Sequence, residues 1–300
     1  MILVTGASGY IGSHLVLSLC QDGKKVFCLV RKTTPKAQID FLRSCGAEVV
    51  EGDLSDCAAF LPVIEGKVKR VVHLVGSIVA SKKESFEAVH RGKTAAIVDL
   101  CKKINAEKIV LLTAVGAAPD AESEYSRTKW LAEEEVRKSS IPYVILRASL
   151  VFGNEGGLRN SKMLVKLSKM VRHFPVIPFI GSGKSLVQPV FIGDLVACLK
   201  KAVCDDSIVN KTFEIAGPEK MTFDELIQKI ADHNDVRRII MHIPTALMKP
   251  LADLLEKVLE APPVSRDQMK LLEKDNVCDV TDMENTFPVK MVKFSEGFSL

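Results

Sequence analysis

Tyr125-Ser126-Arg127-Thr128-Lys129 places a phenol and an ammonium four residues apart. On a helix that spacing puts both on one face. A fixed positive charge beside a tyrosine favours the phenolate and lowers the pKa. Tyr125 is therefore expected to trade a proton with a substrate hydroxyl or carbonyl near neutral pH. A second group of residues stands at the N-terminus, where Thr5-Gly6-Ala7-Ser8-Gly9-Tyr10-Ile11-Gly12 lies between an apolar run, Ile2-Leu3-Val4, and a helical stretch from Ile11 to Gln21. Glycines at that junction let the chain turn sharply, bring backbone close to a ligand and pack the helix tightly on its strand. The helix start then offers free N–H groups and a positive dipole end to phosphate.

Gly6, Ala7, Ser8, Gly9, Tyr10, Ile11 and Gly12 are thus the expected cradle for the pyrophosphate of a dinucleotide, although the spacing is G-x-x-G-x-x-G rather than G-x-G-x-x-G. The end of the next strand decides which dinucleotide. An acid there would accept from a ribose 2′-hydroxyl, whereas cations suit a 2′-phosphate. Arg31 and Lys32 follow Leu29-Val30 with no acid between them, so NADP(H) is expected over NAD(H); ordinary surface cations are the other reading. Asp53, before Leu54, follows the third strand and either accepts from the adenine amino group or caps a helix. Val75-Gly76 ends the fourth strand, where glycine lets backbone pass the adenosine ribose. Lys129 would also bond the nicotinamide ribose, with hydride moving at the cofactor ring and Tyr125 handling the proton.

These residues need a scaffold, and the hydrophobic pattern supplies one. Strand-like runs at Ile2-Leu3-Val4, Lys25 to Val30, Ala47 to Val50, Arg70 to Val75, Ile109 to Thr113 and Tyr143 to Leu146 alternate with helical stretches, notably 84–103 and 123–138. Continuous β-branched runs separated by helices predict parallel strands buried on both faces. The fold class is α/β: a doubly wound parallel Rossmann sheet with a small, mostly helical C-terminal substrate lobe. The expected division is 1–153, with 188–217 returning to the sheet, and a lobe of 154–187 and 218–300. Residues 173–183 hold two prolines and two glycines and are expected to be irregular. Asp194 is expected to cap the helix that runs through Ala202, and Thr222-Phe223-Asp224-Glu225 to form a capping box. Residues 244–263 read as an amphipathic helix. Core packing is expected for its apolar face, with membrane or partner contact as the second reading.

Composition bounds the rest. The chain has 300 residues, 47% of them apolar, and a net charge of +4. That charge is too mild and too scattered for a nucleic-acid reader. Eight cysteines include no CxxC pair, so no zinc or dithiol site, and no metal, is expected. No apolar run is long enough to span a bilayer. With unpaired cysteines and a strand starting at the first residues, a reducing, cytoplasmic setting is expected. His73, inside an apolar strand, reads as a satisfied core residue. The substrate pocket is expected where the strand ends meet the lobe, with Phe152, Arg159, Phe179 and Gln188 as candidates.

Together, Thr5 to Gly12, Gly52-Asp53-Leu54, the Tyr125/Lys129 pair, Leu146 to Gly153, Gln188 to Asp194 and Gly217-Pro218-Glu219 resemble the short-chain dehydrogenase/reductase superfamily in its extended or atypical branch. The resemblance covers nearly the whole chain. It implies that the backbone at Ala148, Ser149 and Leu150 lines the nicotinamide. Phe179 to Lys184 with Gln188-Pro189-Val190, and Pro262-Pro263-Val264-Ser265-Arg266-Asp267-Gln268, look similar to prokaryotic relatives of the complex I alpha-subcomplex subunit nine. That likeness implies a scaffold holding NADP(H), and a protein partner becomes an alternative to an unidentified small-molecule substrate. One departure bears on chemistry. The superfamily places a catalytic serine after the fifth strand, where this chain has Leu112-Thr113-Ala114-Val115-Gly116. Thr113 either supplies that hydroxyl or is a buried β-branched strand residue. His90 and Arg91 stand where many relatives carry asparagine. Two readings follow: an NADP(H)-dependent oxidoreductase or epimerase-like enzyme acting on a carbonyl or hydroxyl compound, or a non-catalytic NADP(H)-binding accessory or regulatory subunit.

Overall fold

Apolar runs such as Ile2–Thr5, Val26–Val30 and Lys108–Ala114 are buried on both faces and cannot satisfy their backbones alone, so they pair within one seven-stranded parallel sheet, with the more exposed Glu48–Glu51 at one edge. The computed structural model describes residues 1–54, 56–78, 84–259 and 265–299. Strands β1 (Ile2–Thr5), β2 (Val26–Val30), β3 (Glu48–Glu51), β4 (Arg70–His73), β5 (Lys108–Ala114) and β6 (Tyr143–Ala148) alternate with helices α1 (Tyr10–Gln21), α2 (Lys36–Ser44), α3 (Leu61–Ile64), α4 (Lys93–Lys103) and α5 (Glu124–Arg137). A π turn, Ala88–Gly92, leads into α4. There follow β7 (Val151–Phe152), α6 (Lys162–His173), β8 (Val176–Ile180), β9 (Leu186–Val187), β10 (Val190–Phe191), α7 (Ile192–Cys204) and β11 (Lys211–Ile215). The chain ends with β12 (Met221–Thr222), α8 (Phe223–His233), β13 (Ile239–Ile243), α9 (Thr245–Val258), α10 (Arg266–Glu273), α11 (Thr281–Thr286) and α12 (Phe294–Gly297).

The sheet order is β11-β6-β5-β4-β1-β2-β3. The order reverses between β1 and β4, which is where a doubly wound sheet opens a crevice at its strand ends. Period-two alternation sends Val4, Cys28, Val72, Val110 and Leu146 to one core, with Leu15 and Leu19 of α1 and Leu195 and Leu199 of α7. Leu3, Phe27, Val71, Leu111 and Ile145 go to the other, with Ile97 of α4 and Val136 of α5. Full burial of one such leucine contributes about 1.5–3 kcal/mol, so a charge at Leu15 would break the packing of α1 on the sheet. A third apolar cluster joins Phe152, Leu164, Ile177, Phe179, Leu226, Ile230 and Phe294 from the later segments.

The structure corrects several details of the sequence reading. Residues 173–183 are not irregular throughout: β8 runs through Pro178 and pairs in parallel with β13. A two-stranded ribbon has two open edges, so a proline there forfeits no ladder bond on its outer side. Asp194 is not an N-cap. Phe191 holds that position, and the Asp194 carboxylate accepts from Val292 N–H at 2.8 Å. The Thr222/Glu225 capping box is formed, with both reciprocal bonds present. The helix expected over 244–263 is described as Thr245–Val258, with a proline inside it. Residues 260–264, including Pro262-Pro263-Val264, and Ser55 lie outside the described residues.

Candidate functional site

The glycine turn sits at the reversal point of the sheet. Gly6 has φ +73°, and a Cβ there would stand 3.0 Å from the Leu74 carbonyl, on the loop leaving β4. A Cβ on Gly12 would lie 2.2 Å from Gly6 O, so α1 starts against the turn itself. Gly9 N–H donates to Gly6 O at 3.0 Å, and Gly9 is the N-cap of α1 with no side chain to occupy the first-turn donors. The result is a cradle of backbone N–H groups on a helix dipole, closed to any side chain at Gly6 and Gly12, which fits the phosphates of a dinucleotide. Ala7 is buried, while Ser8 and Ile11 are half-buried. Tyr10 turns away from the cradle: its hydroxyl donates to Gly153 O at 2.6 Å. Burial raises its pKa. His14 Nε2 accepts from Glu155 N–H at 3.1 Å, and Ser13 Oγ accepts from Leu158 N–H at 3.0 Å. The 153–158 loop is thereby clasped to α1.

Arg31 and Lys32 are exposed just beyond β2. Asp53 is exposed beyond β3, with Leu54 tucked into the core behind it. Val75 and Gly76 lie on the loop after β4, which ends at His73 rather than Val75. Ala148 ends β6. Ser149 Oγ donates to Gln188 O at 2.5 Å, and Leu150 O accepts from Val190 N–H. Among the expected lobe candidates, Phe152 and Phe179 are core residues. Gln188 is spent on backbone: Nε2 donates to Gly217 O at 2.8 Å, and Oε1 accepts from Cys278 N–H at 3.1 Å.

Tyr125 and Lys129 share one face of α5, with the ammonium 6.0 Å from the centre of the phenol ring. The Lys129 Nζ lies 2.7 Å from where a Cβ on Gly76 would stand, so the ammonium reaches the loop after β4. Tyr125 is half-buried, edge-on to His90 at 5.4 Å and to Phe86 at 5.9 Å. His90 belongs to the π turn, a helix defect that recurs at functional sites. Its Nδ1 bonds Thr128 Oγ1 at 2.8 Å, and its Nε2 lies 3.0 Å from Ser77 O. The electrostatics differ from the sequence expectation. Burial pushes the Tyr125 phenol up to about 12. Burial also pulls the Lys129 ammonium down to about 8, against the attraction of Glu133. Desolvation disfavours each charged form. Tyr125 is therefore a proton donor at neutral pH, not a phenolate.

Thr113 does not turn toward Tyr125. Its hydroxyl donates to Glu133 Oε1 at 2.7 Å. Glu133 is fully buried one turn along α5 from Lys129 and also accepts from Arg147 at 2.9 and 2.7 Å and from Arg137 at 2.8 Å. An anion ringed by two guanidiniums holds the hydroxyl as its fourth donor, and Ala114 and Val115 supply no hydroxyl in its place. His73 is only half satisfied. Nδ1 lies 2.6 Å from Thr5 Oγ1, but Nε2 is buried without a partner among the described residues. Its pKa falls to about 3, through burial and then the nearby Lys129 and Lys93. Asp267 of α10, to which the sequence assigned no role at the site, accepts from Glu124 N–H at 2.6 Å and Tyr125 N–H at 3.1 Å, adding to the Ser123 N-cap of α5. Lys270 Nζ donates to Glu122 O beside it.

A parallel sheet reversing at a glycine-turn crevice, with a tyrosine–lysine helix beside it, defines a dinucleotide-type Rossmann protein. A model of the NAD dependent epimerase/dehydratase family matches residues 2–216, and the chain belongs to that family. Among curated relatives it is 27% identical over 280 residues to the mitochondrial NADH-ubiquinone oxidoreductase 40 kDa subunit of Neurospora crassa, covering 92% of this chain and 71% of that protein. It is 25% identical over 276 residues to the mitochondrial NADH dehydrogenase (ubiquinone) 1 alpha subcomplex subunit 9 of Dictyostelium discoideum, covering 91% and 75%. The ceramide reductase of Caulobacter vibrioides is 28% identical over 199 residues, covering 66% and 59%. The dTDP-glucose 4,6-dehydratase of Bacillus anthracis, solved in complex with NAD, superposes with a TM-score of 0.75 at 16% identity over 99% of this chain and 93% of that one. At that identity the superposition shows the fold alone.

Proposed function

We propose that the chain holds NADP(H) in the β1/β4 crevice and reduces the carbonyl of a small or lipid-like compound, with Tyr125 as the proton donor. The observation that carries this reading is the placement of Tyr125 and Lys129 together beside Gly76, at the crevice bounded by the glycine turn. Backbone N–H groups at the start of α1 hold the pyrophosphate, Arg31 and Lys32 flank the 2′-phosphate, and Asp53 lies on the adenine side. Ala148, Ser149 and Leu150 bound the nicotinamide side. When bound, the nicotinamide supplies hydride. Tyr125 delivers a proton from Oη to the substrate oxygen, and Lys129 orients the ribose and stabilises the phenolate left behind. The ceramide reductase among the relatives supports a reductive role, and the eight free cysteines support a cytoplasmic setting. On this reading 154–187 and 218–300 form the lobe that closes over substrate.

Thr113 favours a second reading. Its hydroxyl belongs to Glu133, so the donor that would polarise a carbonyl is lacking. The relatives include two complex I subunits, so the chain would then be an accessory or regulatory subunit that binds the cofactor and a protein partner. Tyr125→Phe separates the two. The enzyme reading expects NADPH oxidation against a panel of aldehydes, ketones and long-chain keto compounds to fall by about 10²–10⁴-fold, with cofactor affinity unchanged. An absence of turnover by the unsubstituted chain across that panel would leave the accessory reading standing.

A further inference from the structure

The third cluster leaves one side of its ribbon uncovered. In the β8/β13 pair, Val176 stands beside Ile239 and Pro178 beside Met241. Paired residues in register point the same way, and all four are exposed, Ile239 by 69% and Met241 by 49%. The inward row, Ile177 and Phe179, is buried. An apolar residue thus occupies each of these outward positions. Helix α9, which follows β13 in the chain, carries further exposed apolar side chains. Leu247 and Val258 are 70% and 68% exposed, and among its described side chains only Ala252 is buried. A helix of this length is marginal in water without packing for its apolar face, and exposed apolar patches mark interaction sites.

Charge decides the occupant. Arg172 and Arg237, which precede β8 and β13 in the chain, are exposed and have no ion-pair partner among the described residues, whereas Lys249 lies on the face of α9 that carries Asp253 and Glu256. The acids of α9 point elsewhere: Asp253 pairs with Arg266 of α10, and Glu256 accepts from Arg266 N–H at 2.7 Å. Arg238 locks the ribbon to α6 through Val171 O and Arg172 O, holding Arg172 at the ribbon's end. An apolar face with unpaired arginines at its end matches an anionic bilayer, where apolar side chains enter the headgroup boundary and guanidiniums meet lipid phosphates. A second copy fits less well, because a two-fold contact would bring like charges together. No helix among the described residues is long and apolar enough to cross a membrane, so the contact is peripheral.

We propose that the outward face of β8/β13 together with α9 docks this protein on the surface of an anionic lipid bilayer. The test is flotation of the full chain with vesicles of phosphatidylcholine alone and of phosphatidylcholine mixed with phosphatidylglycerol. Binding to the mixed vesicles that weakens with added salt is expected, at least about tenfold tighter than to the neutral ones. The Leu247→Glu/Leu251→Glu variant is expected to lose at least about tenfold in vesicle affinity. Ile239→Ser, a milder change on the ribbon, is expected to weaken binding while leaving the thermal melt and dinucleotide affinity unchanged. No flotation overturns the proposal, as does flotation that both variants retain. A concentration-dependent dimer that the Leu247→Glu/Leu251→Glu variant converts to monomer, without vesicle binding, assigns the face to a second copy and equally overturns it.

Discussion

Lys129 burdens the fold that carries it. Its side chain is 7% exposed, and burial holds its pKa near 8 where an ordinary lysine titrates at 10.5. Below pH 8 the ammonium is charged in both folded and unfolded chains, and the gap of two to three units costs the folded state about 3 kcal/mol. The sign follows from linkage: between pH 8 and 10.5 the unfolded chain binds the extra proton, so this cost fades as pH rises through that window. Lys129→Met keeps the length of the side chain and removes the charge. Glu133 keeps its three other donor groups, so no buried anion is orphaned. In urea denaturation at pH 7 the variant is expected to be more stable by up to about 3 kcal/mol, and at pH 10 by less than about 1 kcal/mol. It should also lose cofactor-dependent turnover, the exchange of function for stability common at active sites. A variant less stable than the parent at pH 7, or a stability gain that does not shrink with pH, would refute the reasoning and make Lys129 a structural cation.

Further substitutions test neighbouring parts of the site. Gly12→Ala forces a Cβ to 2.2 Å from Gly6 O and 2.8 Å from Ala7 Cα; a loss of about 1–3 kcal/mol in chemical denaturation is expected, together with loss of NADPH binding by titration calorimetry. Thr113→Val removes one donor from buried Glu133 and is expected to lower stability by about 1–3 kcal/mol while sparing turnover. A large fall in kcat with stability intact would return Thr113 to the chemistry. Asp267→Ala uncaps the first turn of α5 and should cost about 1 kcal/mol, read as a lower Tm and as faster hydrogen exchange at Glu124 and Tyr125; unchanged exchange there would show that the cap is dispensable.

What the sequence revealed and what it hid have physical reasons. β1, β2, β5 and β6 are legible because strands buried on both faces are unbroken apolar runs, and the glycine turn because backbone sterics admit only one residue type at Gly6 and Gly12. Tyr125 and Lys129 were readable as a helical pair because the period of 3.6 is local. The pKa order was not, since desolvation depends on Phe86, His90 and Gly76, which arrive from other elements. Asp267 caps a helix from 143 residues away, a contact no local pattern announces. Thr113 left two readings open in sequence. Only Glu133, on the helix packed over β5, shows where its hydroxyl goes. The helix at 245–258 has the periodicity of a core helix, and only the exposure of Leu247, Leu251 and Val258 shows that apolar side chains of it face out.

Whether this crevice holds NADP(H) is read by competitive titration of NADPH and NADH on the parent chain and on Arg31→Ala/Lys32→Ala. NADPH is expected to bind at least about tenfold more tightly than NADH, a difference of about 1.4 kcal/mol. The double substitution is expected to remove that preference while leaving NADH affinity unchanged. Tighter binding of NADH by the parent chain, or a preference for NADPH that survives loss of both cations, would contradict this reading of the crevice.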